Sequence, residues 1–286
     1  MIDSHCHLNF KAFNDDWRAV AQRAFDCGIE SIINVGSNLA TSRHAIELAE
    51  TMPGKLYAAI GLHPIHVDGE DFDITDYEKL ISCHSEPLGN TRGKLREESL
   101  SSSTFHLPPA TCHSPIVAIG ETGIDLYHSP DNLPSQREVF IQFINLANKH
   151  HLPIIIHNRG AGKEVLSVLQ ARPPQYGGVM HFFSEDWEYA QKLFDLGLNI
   201  SFTGSITLNN IDTKTIEVVA KVPLEKILIE TDAPYVVPVS QKNNKISRNE
   251  PAFVIEVAQK IAEIKNIDLD AVTSQTTQNT TKLFKF

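Results

Sequence analysis

The sequence predicts a (β/α)8 barrel, and three observations carry that prediction. Short apolar segments of strand character alternate eight times with helical patterns over about 250 residues, the count such a barrel requires. The strand segments are apolar on both faces, as parallel strands buried between two layers must be. Imidazole and carboxylate side chains recur where those segments end, and strand C-termini of a barrel converge on one mouth. A doubly wound open sheet is the rival. It is disfavoured because no Gly-rich phosphate loop follows the first strand.

The elements follow in order. Residues 1–6 form the first strand, and in a strand positions i and i+2 share a face, so His5 and His7 project side by side. Residues 16–27 read as an amphipathic helix, with Trp17, Val20, Ala21, Ala24 and Phe25 at three- and four-residue spacing and Gly28 as its stop. The second strand is 29–35, the second helix 41–52, and the third strand 56–62, followed by His63-Pro64. A short helix is expected at 74–84. Residues 86–114, with Gly89, Gly93, a serine run and Pro108-Pro109, read as an exposed, loop-like insertion between the third and fourth strands. Cys83-His84, His106 and Cys112-His113 match no zinc-finger or ribbon spacing and are expected to be solvated.

The fourth strand, 115–120, ends at Glu121, and a strong helix spans 135–150. The fifth strand, 152–156, ends at His157, a helix covers 162–170, and the sixth strand, 178–180, ends at His181. Residues 187–196 are helical up to Gly197, 198–202 form the seventh strand, and 211–222 are helical. The eighth strand, 227–229, leads into Glu230-Thr231-Asp232, and helices at 252–265 and 269–282 close the chain. Residues 1–286 are read as one domain.

Composition narrows the function. A hydrophobic fraction of 42% and a charged fraction of 21% describe an ordinary globular chain. No signal peptide and no apolar run long enough to span a membrane is read. The four cysteines form no CxxC and no framework spacing, so with no export signal read a reducing compartment is expected. A net charge of −10 argues against gripping long duplex DNA over a wide basic face, but not against handling a strand end at bound cations.

His5, His7, His63, Glu121, His157, His181 and Asp232 all fall at strand ends. Six of them (His5, His7, Glu121, His157, His181 and Asp232) are too many ligands for one tetrahedral ion and suit two divalent ions. The expected division puts His5, His7 and Asp232 on one ion, His157 and His181 on the other, and Glu121 between them as bridge. Such a pair activates water and clamps a phosphoryl group, with Asp232 placed to orient or deprotonate the water. Mixed imidazole and carboxylate ligands favour zinc, manganese or iron over magnesium.

The motifs DSHCHL (3–8), GLHP (61–64), AIGETGID (118–125), IIHNR (155–159), HFFS (181–184), FTGSIT (202–207), ETDAPY (230–235) and RNEP (248–251) together resemble the TatD family of metal-dependent deoxyribonucleases, within the amidohydrolase-type barrels. The resemblance runs from residue 2 to 279–284 and omits only about 86–114. It implies a cytoplasmic two-metal DNA hydrolase, a 3′→5′ exonuclease acting on single-stranded ends and supported by magnesium; against the histidine-rich ligand set, the two ions are left open among magnesium, manganese and zinc. It places His5, His7, Glu121, His157, His181 and Asp232 on metal-ligand positions and His63 beside the substrate phosphate. By the same matching Arg159 is a phosphate contact, and Glu230 orients a ligand. A hydrolase of amides or esters, including aminoacyl-tRNA, is the alternative. There a carbamylated lysine often occupies the fourth-strand position that holds Glu121 here. A non-catalytic metal-binding interaction protein is the third reading.

Overall fold

Runs rich in isoleucine, valine and alanine form the strands because their side chains can be buried on both faces of a sheet. The computed structural model describes residues 1–69, 71–85 and 114–286. Its eight strands are β1 (Ile2–Cys6), β2 (Ser31–Val35), β3 (Leu56–Ile60), β4 (Ile116–Asp125), β5 (Ile154–Arg159), β6 (Gly178–Met180), β7 (Asn199–Phe202) and β8 (Ile227–Ile229). They pair in parallel in the order of the chain, the order of a barrel and not of a doubly wound sheet. The helices that follow strands are α1 (Trp17–Asp26), α2 (Leu39–Thr51), α3 (Ile74–Ser85), α4 (Leu133–His150), α5 (Gly162–Ala171), α6 (Trp187–Asp195), α7 (Thr213–Lys221), α8 (Val239–Asn243), α9 (Val254–Lys265) and α10 (Leu269–Phe284). Among the described residues, no helix is long and apolar enough to cross a membrane.

The first and last strands are joined by hydrogen bonds clustered at the mouth. The Ser4 hydroxyl donates to Ile229 O at 2.9 Å, Asp232 N to His5 O at 2.9 Å, and His7 N to Ala233 O at 2.8 Å. Asp3, fully buried, accepts from Thr231 N at 2.9 Å and from the Thr231 hydroxyl at 2.6 Å. The barrel closes through the same two segments that carry His5, His7 and Asp232.

Two apolar layers hold the rest. The larger lies between strands and helices and includes Phe13, Tyr77, Phe140, Phe143 and Phe202. The smaller is built from alternate strand residues, Ile33, Val35, Ala59, Val117, Ile155, Val179 and Leu228, and fills the barrel interior. The end of α10 brings Leu283 and Phe284 against that interior layer, and Phe286 stacks on Tyr57 of β3 at 3.9 Å between ring centroids.

Two strands are longer than expected. β4 does not end at Gly120 but continues through Glu-Thr-Gly-Ile to Asp125, and β5 runs through His157 to Arg159. The polar stretch reads as loop, yet Gly123 makes the pairing feasible. A Cβ there would lie 2.0 Å from His157 O, and its φ of +155° is one that L side chains rarely adopt. The short helix α8 was not expected. Residues 86–113, which carry most of the expected insertion with His106, Cys112 and His113, lie outside the described residues. Cys83 is exposed, and His84 Nδ1 lies 2.9 Å from Glu50 Oε1 on the surface.

Replacing Asp3 with Ala strands the buried Thr231 N–H, so it should lower unfolding stability by roughly 1–3 kcal/mol. Urea denaturation of the variant checks this; an unchanged midpoint would show that closure does not depend on Asp3.

Candidate metal centre

β1 delivers the first two imidazoles. His5 lies within the strand and His7 just past it, and their Nε2 atoms are 3.2 Å apart. The His7 Nδ1–H donates to Val35 O at the end of β2, at 2.8 Å. A carbonyl can only accept, so neutral His7 presents its Nε2 lone pair to the mouth.

Glu121, in β4, is the hub. Its Oε1 lies 2.7 Å from both His157 Nδ1 and His181 Nε2, and its Oε2 lies 3.5 Å from His5 Nε2 and 4.0 Å from His7 Nε2. Asp232 closes the His5/His7 side, with Oδ1 3.3 Å from His7 Nε2 and 3.8 Å from His5 Nε2. Asp232 sits on the loop after β8 in the left-handed region, φ +54°, which Asp tolerates better than most residues. Asn249 holds that loop: its side-chain amide donates to Thr231 O at 2.8 Å and Val236 O at 3.1 Å. This is the structural role of the RNEP motif, together with Arg248, which pairs with Asp16 at 2.7 Å.

Asp125 ends the AIGETGID motif, where sequence alone assigns it no role, and it is the site residue that sequence reasoning missed. Its Oδ2 lies 3.2 Å from His157 Nε2 and 2.8 Å from His128 Nδ1, while its Oδ1 accepts from Tyr127 N and His128 N at 2.9 and 2.7 Å. An ionised carboxylate only accepts, so His157 Nε2 carries a proton toward Asp125, and Nδ1 faces Glu121, donating to it when the ring is charged and offering a lone pair when it is neutral. The available signal was strand alternation, because residues 121 and 125 share a face once β4 continues. Glu230, fully buried, accepts from Phe182 N and the Ser201 hydroxyl, both at 2.7 Å, and its Oε1 lies 3.4 Å from His181 Nδ1.

His63, after β3, has its Nε2 3.2 Å from His157 Nδ1 and 3.5 Å from Glu121 Oε1. Its Nδ1 accepts from Ile65 N at 3.2 Å, so the neutral ring carries its proton on Nε2 and offers a donor, not a lone pair, to the mouth. Arg159 lies at the rim, its guanidinium 4.8 Å over the Tyr127 ring. The resulting cavity, about 710 Å³, is lined by His7, His63, Glu121, Asp125, His157, His181, Asp232 and Arg159 among others.

Electrostatics match this geometry. Burial opposes ionisation of Glu121, but the His181 and His63 rings and the bonds from His157 and His181 hold it well below the usual carboxylate range. Burial likewise opposes Asp232, but the bond from His7 together with the charges of His5, His7 and His181 outweighs it and holds the carboxyl below its usual value. Burial would lower His181, but Glu121 lifts it well above the ordinary imidazole value. His63 is pushed down to about 3 by burial and stays neutral.

Three groups bring ligand atoms close enough to share an ion: His5, His7 and Asp232; His5, His181 and Glu230; and His63, Glu121 and His157. The second is weakened because both Glu230 oxygens already accept hydrogen bonds, and the third because His63 Nε2 bears a proton. What remains is a converging set of imidazoles and ionised carboxylates: the carboxylates favour the protonated rings of His7, His157 and His181, and a cation entering the cluster would displace those protons and take the freed lone pairs. His5 Nδ1 and His181 Nδ1 are buried with no hydrogen-bond partner among the described residues. That donor set fits divalent cations.

Comparison with known proteins agrees with this chemistry. The family model described as TatD related DNase matches residues 2–285. The uncharacterized metal-dependent hydrolase YabD of Bacillus subtilis (strain 168) is 34% identical, with 100% of this chain and 99% of that protein covered. The uncharacterized metal-dependent hydrolase YcfH of Escherichia coli (strain K12) is 30% identical, covering 99% and 95%. The crystal structure of YJJV, a TatD homolog from Escherichia coli K12, superimposes with a TM-score of 0.82 at 28% identity, over 100% of this chain and 98% of that one.

Two outcomes are expected. Asp125→Asn should weaken divalent-ion affinity roughly 10–100-fold, because His157 loses the partner that fixes its tautomer; competition against a chelating dye measures it, and equal affinities would remove Asp125 from this role. His63 should show the neutral, Nε2-protonated pattern in ¹⁵N NMR from pH 8 down to about pH 4. Its folded value lies below that of the unfolded chain, so its contribution to stability is full above about pH 6.5 and is lost as pH falls toward 3. Titration of His63 near pH 6.5 would contradict both statements.

Proposed function

The chain belongs to the TatD related DNase family, and from that premise we propose that it hydrolyses DNA phosphodiester bonds, as a metal-dependent 3′→5′ exonuclease on single-stranded ends. The observation that carries the reading is the division of Glu121 between two sets of imidazoles, Oε1 toward His157 and His181 and Oε2 toward His5 and His7. This is the arrangement expected of a carboxylate bridging two ions. In the proposed assignment His5, His7 and Asp232 hold one ion, His157 and His181 hold the other, and Glu121 bridges. Magnesium, manganese and zinc are all compatible with these donors. Bound there, two divalent cations supply the Lewis acidity that makes water nucleophilic near neutral pH and offsets the charge of a phosphodiester.

The chain's own residues do the rest. Asp232, ionised and at the edge of the cluster, accepts the proton of the attacking water. The water oxygen bonds to phosphorus as the bond to the leaving 3′ oxygen breaks. His63, neutral with a proton on Nε2, donates a hydrogen bond to a phosphoryl oxygen without adding charge to a crowded site. Arg159 at the rim meets the phosphate from outside. Asp125 and Glu230 keep His157 and His181 turned toward Glu121. The free thiols Cys6, Cys27 and Cys83 accord with a reducing, cytoplasmic setting.

Purified protein incubated with end-labelled single-stranded DNA and manganese should shorten it from the 3′ end. The activity should vanish with EDTA and return on adding metal. Asp232→Asn should reduce it by about 10²–10⁴-fold while leaving circular dichroism unchanged. Turnover of aryl esters or amides without DNA shortening would replace this reading with the amidohydrolase alternative.

A further inference from the structure

We propose that a single strand of DNA lies in one defined groove leading out of the mouth, over Tyr235 and past Lys11 to Arg43. This rests on the nuclease reading above and names where the strand runs beyond the scissile bond.

The hollows of the surface are continuous in this direction. Phe10, Ser37, His66 and Tyr235 line both the mouth and a second hollow that adds Lys11. Asn38 and His66 line both that second hollow and a third, which adds Arg43. Among the described residues, no aspartate or glutamate lines either of the two outer hollows, although the chain has 35 acidic residues against 25 Lys and Arg. Lys11 and Arg43 are exposed and make no ion pair among the described residues, whereas Arg23, Arg137 and Arg248 are each paired with a carboxylate. Two cations that make no ion pair among the described residues, along a groove lined by no described carboxylate, fit a chain of phosphates in a body of net charge −10.

The apolar surface points the same way. Ile65, Tyr127, Ile216, Tyr235 and Ile267 are the exposed large apolar residues among those described. Ile65 and Tyr235 line the mouth, and Tyr127 stands beside it under Arg159. Tyr235 is 54% exposed and stands at 69° to the His7 ring, 6.3 Å away between centroids, so the two rings are not stacked. An exposed ring at the entrance to a basic groove is the composition that holds single strands, with bases stacking on the ring and phosphates meeting the cations. A duplex would need a broad basic face, and two cations in a narrow groove do not make one.

The test compares the full-length wild type, the Lys11→Ala/Arg43→Ala double variant and Tyr235→Ala. Each is given thymidine oligonucleotides of three and twelve residues and, separately, bis(4-nitrophenyl) phosphate, all with manganese. Strand binding in EDTA is followed by fluorescence anisotropy against salt. Lys285→Ala, near Tyr176 and away from the groove, controls for lost charge. For the double variant, kcat/KM on the twelve-mer should fall at least tenfold relative to small-diester turnover. The slope of log affinity on log salt should shrink by about 1.4, near 0.7 for each phosphate no longer neutralised. Tyr235→Ala should cost roughly tenfold in strand affinity. Unchanged ratios and slope would overturn the groove and leave the nuclease reading intact. Wild-type protein that hydrolyses no diester, with strand binding still weakened in the variants, would sink the nuclease reading and keep the groove. An equal loss on a twelve-base-pair duplex would overturn the single-strand assignment.

Discussion

One carboxylate governs the mouth. Glu121 is almost wholly buried, and a lone buried carboxylate would be expelled or protonated. It stays ionised because imidazoles approach both of its oxygens, from β1 on one side and from β5 and β6 on the other. Three of these imidazoles have a neighbour outside the cluster: His7 bonds Val35 O, His157 faces Asp125, and His181 lies beside Glu230. The outer contacts decide which nitrogen faces inward, and thereby whether the cluster is a set of donors or a set of ligands. The same logic separates His63 from its neighbours, since the Ile65 amide claims the nitrogen that would otherwise face away and leaves a proton on the one facing in.

Closure of the barrel and assembly of the site are the same event. The hydrogen bonds joining the ends of β1 and β8 involve Asp3, Ser4, His5, His7, Thr231 and Asp232. A chain that failed to close there would also fail to bring Asp232 to His5 and His7. Asn249 adds a clamp from outside, fixing the loop in which Asp232 adopts its left-handed conformation. Such a conformation persists only where its surroundings determine it.

Much of this was legible in the chain. Eight apolar segments in alternation with helical patterns gave the barrel, and the coincidence of His5, Glu121, His157, His181 and Asp232 with strand ends identified the mouth where they meet. What was not legible depends on contacts between distant segments. Asp125 escaped because the apolar run of the fourth strand stops at Gly120 and Glu121, and only the close approach of β5 at Gly123 shows the strand continuing. The buried pairing of Asp3 with Thr231 spans 228 positions and leaves no periodic trace. Tautomers are set by partners such as Val35 O, whose direction no spacing rule predicts. Lys11 and Arg43 became meaningful only when the groove joining them to the mouth could be followed.

The opposite end of the barrel has its own consequence. Leu283 and Phe284 cap the interior layer there, and Phe286 lies flat on Tyr57. With the interior filled and that end plugged, the barrel is a blind well and not a tunnel. Whatever enters the mouth must back out of it. On the proposed nuclease reading a polymer could not be threaded through, so each cleaved unit would have to leave by the entrance that the remaining chain still occupies, and traffic at that single doorway would limit how many cuts one encounter can yield.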